Sequence, residues 1–402
     1  MTKRKILIIT GEFLPNTLSI GGVIRLVSFL KSLKGNKIKL ISVKKKYYGY
    51  FGFKKYINHV EKIYINTGLS YKNNWHRYIF YLMKIFLSNL FYILGIDHNY
   101  FNHKKFSQKI YKIIKSFKPN YILITAPPFS LFKLVNVIRK IDTKVKIILD
   151  YRDGWTLRVK SYSLFLIKKI MNLYEKKIIQ KSDFILCATE NIFKDIETIA
   201  DNKKVILLKN GYLNNKNKNK NKKIKNYEKK NKEIKIGYFG IISDSSFGYR
   251  DIKIIHNSLA NKNNLNFTFY GNSSIKNKTI LNNKKFNFKK NISYSKTMSK
   301  MISFDYLLIL HTEKSTAKEV VTGKFYDYLN SETPIIMISN GETEAGKLIK
   351  KYNLGYAVDY SKISLSNFFS NLKIKKFKRK NLKDLKKYSR FEQNKKLLKI
   401  IK

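Results

Sequence analysis

One cysteine, five prolines and eighteen glycines are all that 402 residues hold of the residue types that staple, kink or loosen a chain. The lone Cys187 excludes a disulfide framework and a cysteine-based metal site. Its apolar setting, Phe184 to Ala188, marks a small core residue and not a nucleophile. So few prolines and glycines exclude a loop-rich chain. Acid is scarce as well: 26 Asp and Glu face 82 Lys and Arg, a formal net charge of +56. Only nine of the basic residues are arginine. Nucleic-acid readers rely on bidentate arginine contacts, so the charge does not make this chain one. Lys, Asn, Ile and Tyr together are the mixture that AT-rich codons produce. Such a charge still draws the chain to anionic membrane surfaces and phosphorylated ligands. The opening run, Met1 to Ile9, is too short for a signal peptide and reads as a first buried strand, which implies a cytoplasmic protein. His98, His103 and His311 lack ligand spacing, so no metal is expected.

What is present is core. Hydrophobic residues make up 44% of the chain, and the length suits two domains. Short apolar runs alternate with helical patterns, the mark of α/β domains with parallel sheets. Strands are predicted at Lys5–Thr10, Ile38–Val43, Tyr121–Thr125, Val145–Asp150, Phe184–Ala188 and Val205–Lys209. A second series follows at Ile234–Phe239, Phe267–Tyr270, Tyr306–Leu310 and Pro334–Ile338. Between them lies an Asn/Lys run that can bury nothing. The expected organisation is a Rossmann-like domain over 1–212, a linker over 213–231, a second Rossmann-like domain over 232–375, and a closing helix within 376–402 that packs back on the first. Glycine, proline or charge clusters follow five of the strands, where open sheets bind ligands, which favours two domains facing across a cleft. The apolar stretch 78–96 is broken by Lys84, Ser88 and Asn89 and suits an amphipathic helix, in the core or on a membrane, better than a span.

The most informative stretch runs from Glu319 to Ile336. Glu319 and Asp327 stand eight residues apart around a Thr-Gly-Lys turn into a short helix. Thr322 is a suitable N-cap, and Phe325, Tyr328 and Leu329 form its buried stripe. Lys324 and Asp327 share the next face. First-turn N–H groups beside Lys324 favour an anion such as a diphosphate, and a surface helix with one weak ion pair is the plain alternative.

With these motifs the chain resembles a GT-B glycosyltransferase of the family 4 type over nearly its whole length. Gly21-Gly22-Val23-Ile24-Arg25 resembles the glycine turn after the first strand, and Pro127-Pro128-Phe129-Ser130 the Pro-Pro-x-Ser loop. Asp150-Tyr151-Arg152-Asp153-Gly154-Trp155-Thr156 is similar to an acidic segment of a bacterial surface-polysaccharide branch. Tyr238-Phe239-Gly240, Tyr270-Gly271 and the Glu319/Asp327 pair repeat the order of the nucleotide-sugar half. The resemblance implies transfer of a sugar from a nucleotide-sugar donor to a lipid-linked or saccharide acceptor. The pathway would be lipopolysaccharide, capsule or exopolysaccharide synthesis at the inner face of the membrane, with no cofactor. It places Gly21, Gly22, Gly240, Arg250, Gly323, Lys324 and Asp327 at the donor, with Glu319 on the sugar hydroxyls and Asp327 on the ribose diol. Arg152, Trp155 and Pro128 would meet the acceptor. Asp153 would be its base or orienting group, or else a helix cap or partner of Arg152. Asp327 stands where the family has Glu, Gly154 replaces a proline, and Arg250 substitutes for a differently spaced phosphate ligand. Nucleotide-sugar 2-epimerases share this architecture and remain an alternative, as, on charge alone, does a nucleic-acid-binding protein.

Overall fold

Near-continuous apolar runs build the centres of two parallel sheets, as strands buried on both faces require. The structure, a computed structural model, describes residues 3–14, 22–44, 57–66, 88–97, 100–156, 165–201, 203–213, 233–244, 250–259, 264–271, 273–311 and 321–402. Gly21, Glu319, residues 214–231 of the expected linker and residues 78–87 of the apolar stretch lie outside these. The chain divides into two units, Met1–Lys209 with Gln393–Lys402, and Asn210–Glu392.

In the first unit the described strands are β1 (Lys5–Ile9), β2 (Lys37–Lys44), β3 (Val60–Asn66), β4 (Tyr121–Ala126), β5 (Lys146–Tyr151), β6 (Phe184–Cys187) and β7 (Lys204–Leu207). Their order is β3-β2-β1-β4-β5-β6-β7, with every neighbour parallel. Leu7, Ile9, Ile122, Ile124, Ile147 and Leu149 are fully buried, and Phe106, Ile110 and Ile114 of the helix His103–Phe117 pack into the same core. Cys187 is buried in it as well. The last helix, Arg390–Ile400, contributes to this unit from Gln393 onward. There the Lys209 N–H donates to Gln393 Oε1 at 2.9 Å, and Asn394 Nδ2 donates to the Ser28 carbonyl at 2.9 Å.

The second unit holds β8 (Ile234–Phe239), β9 (Ile242–Ser243), β10 (Leu265–Tyr270), β11 (Ser273–Ser274), β12 (Phe286–Lys289), β13 (Tyr306–His311), β14 (Ile335–Ser339) and β15 (Gly355–Asp359). Its main sheet runs β12-β10-β8-β13-β14-β15, and β9 pairs with β11 alone. Both main sheets reverse direction beside their first strand, at β1/β4 and at β8/β13. In open parallel sheets that reversal opens the crevice in which ligands sit, outside the carboxyl ends of the strands. Among the described residues no helix is long and apolar enough to cross a membrane.

Candidate functional site

The carboxyl end of β8 is where the second unit gathers its polar groups. Thr322, in extended backbone at φ −62° and ψ 148°, stands at the N-cap position of the helix Gly323–Ser331, but its side chain makes no capping bond. Phe325, Tyr326, Tyr328 and Leu329 bury its inner side against Phe304, Leu307 and Met337. This fixes the roll of the helix and turns Lys324 toward β8. Lys324 Nζ donates to Tyr238 Oη at 2.6 Å, and that hydroxyl donates onward to the Ile241 carbonyl at 2.8 Å. Tyr328, from the same helix, accepts the Phe239 N–H at 3.1 Å and pins the strand end to the helix.

Two glycines make room for this approach. Gly240 has φ +134°, and a Cβ there would lie 2.5 Å from Lys324 Cε. Gly271, at the end of β10 with φ +151°, would place a Cβ 2.1 Å from the Gly240 carbonyl oxygen. Both positions need glycine, for backbone conformation and for space. Among the described residues, a Cβ at Gly323 would meet nothing within 4 Å. The buried Thr322 Oγ1 at the helix start has no hydrogen-bond partner among the described residues.

The electrostatics of this corner favour an anion. Burial holds the Lys324 ammonium well below the ordinary lysine range, and the neighbouring Arg250 guanidinium lowers it further. An oxyanion bound beside them would offset both effects by adding opposite charge. Lys324 and Asp327 do not pair as their spacing suggests; each finds a tyrosine instead. Tyr294 Oη donates to Asp327 Oδ1 at 2.7 Å. Burial pushes the Asp327 carboxyl from 3.8 up to about 6, against the lowering effects of Tyr294 and Arg390. Gly240, Lys324 and the helix start at Gly323 therefore meet at the end of β8, with the Arg250 charge nearby, while Asp327, on the same helix, faces Tyr294. Tyr294 had no local signature, because it lies 33 residues from the aspartate it orients.

In the first unit the corresponding reversal, between β1 and β4, gathers Gly22, Pro127 and the loop after β5. Arg152 donates to the carbonyls of Ala126, Pro127 and Gly22, so its guanidinium ties three segments together. Among the described residues Asp153 accepts no hydrogen bond and caps no helix, and its charge acts on the neighbouring Arg152 guanidinium. Two expectations change here. Trp155 is 1% exposed, stacks on Phe129 and donates its indole N–H to the Tyr92 and Ile93 carbonyls. Pro128 is buried too. Neither has surface left for an acceptor, because the loops after β4 and β5 that carry them both fold inward onto the core. Arg25, which the glycine turn carries, is the residue whose role was not apparent. It is 2% exposed, makes a 2.8 Å ion pair with the equally buried Asp150, and donates to the Leu208 carbonyl at 2.8 Å. Thr125 Oγ1 completes the aspartate's shell at 2.9 Å.

No protein-family model matches the chain, and no curated protein matches it by sequence. Among solved structures it is similar to Anabaena HepE in complex with UDP and glucose, with a TM-score of 0.58 and 9% identity over 99% of each chain. It is also similar to sucrose-phosphate synthase from Thermosynechococcus elongatus, at 0.60 and 10% over 92% of this chain and 90% of that one. UDP-GlcNAc 2-epimerase from Methanocaldococcus jannaschii gives 0.53 and 14%, over 99% of both chains. These likenesses show the fold: two parallel-sheet α/β units of the GT-B architecture.

Proposed function

We propose that the chain is a glycosyltransferase that takes its sugar from a nucleoside diphosphate donor. The observation that carries this is the corner at β8, where Gly240 and Gly271 make room for Lys324 at a helix start, with the Arg250 charge beside it. When the anomeric C–O bond breaks, the departing diphosphate gains charge. Preorganised cations and helix N–H groups aimed at its oxygens stabilise that charge more than they stabilise the bound donor. In this reading the protein supplies the positive charge at the diphosphate, without a metal. Asp327, held by Tyr294 through one oxygen, keeps the other for the ribose diol, since a carboxylate can accept from two hydroxyls. Glu319 holds the sugar hydroxyls, as its resemblance to the family 4 acidic pair implies. Asp153 orients or deprotonates the acceptor hydroxyl. The fit to the family 4 type and to surface-polysaccharide synthesis rests on the acidic loop 150–156 and the Glu319/Asp327 spacing.

The structural likeness to a 2-epimerase supports a second reading, which one experiment separates. A panel of UDP-, GDP-, ADP- and CMP-linked sugars is first screened by thermal shift, because a ligand that binds the native state raises its melting temperature. UDP-sugars come first, since HepE was seen with UDP-glucose. The stabilising donor is then incubated without acceptor. A transferase leaves the sugar's configuration unchanged; epimerised donor in that tube would overturn the transferase reading.

A further inference from the structure

The helix Phe165–Gln180 is apolar on both its sides. Its buried side carries Met171, Ile178 and Ile179 together with Glu175, the only acid in the helix. Its outward side carries Phe165, Leu166, Ile170 and Leu173, which are 63%, 72%, 65% and 57% exposed. Lys169 and Lys177 are exposed on the same side. Single exposed apolar residues are ordinary, but four on one face, at helical spacing and flanked by lysines, are not. A strip one helix wide falls well short of the roughly 800 Å² per partner that a stable protein interface buries. Hydrocarbon with interspersed ammonium groups and no carboxylate complements an anionic lipid surface, where the apolar side chains enter the acyl boundary and the lysines reach the headgroups.

We propose that this face seats the first unit on an anionic lipid bilayer. The inner side of the same helix grips the acidic loop. The Thr156 N–H donates to Glu175 at 3.2 Å, Thr156 Oγ1 donates to Glu175 and Asn172, and Trp155 meets Tyr174 edge-on at 6.5 Å. Docking would thus hold the end of the acidic loop, at Thr156, about one helix diameter, ~10 Å, from the headgroups. Resting on the transferase reading, this favours a lipid-linked acceptor over a soluble one.

The test is flotation of the full chain with vesicles of phosphatidylcholine alone, or of equal parts phosphatidylcholine and phosphatidylglycerol. The wild type should float with the anionic vesicles and should keep a bound fraction at raised salt, because part of its attachment is apolar. The double variant Leu166→Gln/Ile170→Gln should lose about tenfold or more in partitioning, the scale expected when several buried CH₂ groups are withdrawn from lipid. Ile363→Gln, which alters an equally exposed residue of the other unit, should float like the wild type. Wild type that stays unbound would overturn the proposal. So would a double variant that floats unchanged, or a wild-type dimer that the double substitution converts to monomer. A UDP titration of each protein separates the two ideas: a wild type that floats but does not bind UDP counts against the transferase and not against the docking face.

Discussion

Among the described residues, Asp327 and Glu175 are the two carboxyls whose surroundings move them furthest toward neutral pH, and each yields a prediction. Tyr294 stabilises the charged form of Asp327 by donating to it, so Tyr294→Phe should push the carboxyl further above about 6. The midpoint in the pH dependence of nucleotide affinity should then move upward, which titrations across that range would show. Glu175 is raised from 4.5 to about 7, chiefly by burial. A raised acid means that the native state holds its proton longer than the unfolded chain does. Its favourable contribution is therefore complete below pH 4.5 and is lost as pH rises through 7. Glu175→Gln should match the wild type in acid and exceed it above neutrality, by on the order of 3 kcal/mol for a shift of this size. Chemical denaturation at a series of pH values measures the difference, and a gap that fails to widen with pH would contradict it. The two residues also show what local sequence can convey. Lys324 and Gly240 were legible because they border a strand end and a helix start. Tyr294 and Glu175 were not, because their roles arise from contacts made only when distant segments pack.

The elements were legible in proportion to their burial. Central strands such as β1, β4, β5 and β13 are continuous apolar runs and fall within a residue or two of their predicted positions. In the two main sheets β3, β12 and β15 went unrecognised, and all three are edges. An edge strand buries one side less, so these three mix lysine, asparagine or glycine with apolar residues and show no run. The remaining edge, β7, was legible because Val205 to Leu208 is an apolar run. The short β9/β11 pair carries too few residues for any pattern. The Arg25–Asp150 bridge belongs to this scale, since it fastens the helix Ile24–Ser32 to the end of β5 and to the Leu208 carbonyl. Arg25→Met would leave Asp150 buried with only Thr125 donating to it. Removing one partner of a buried ion pair costs ~3–5 kcal/mol, so the midpoint of urea unfolding should fall substantially. A shift within ±0.5 kcal/mol would show that the bridge carries little stability.

At the scale of the whole molecule, strand order organises the rest. Both main sheets reverse beside their first strand, and the polar clusters of each unit stand at that reversal. The net charge of +56 adds a field that attracts anionic donors and lipid alike, so binding of either should weaken as salt is added. That field cannot by itself define a site, because it acts on any anion; specificity is what the proposal assigns to the Lys324 corner. The direct measurement is calorimetric titration of the wild type and of Lys324→Met with UDP at fixed ionic strength. The wild type should bind. The variant, which loses one charged hydrogen-bond donor worth about 1.5–3 kcal/mol, should bind roughly 10- to 100-fold more weakly. Equal affinity in the two proteins, or no binding of UDP or of any other nucleoside diphosphate by the wild type, would contradict the assignment of this corner to the donor.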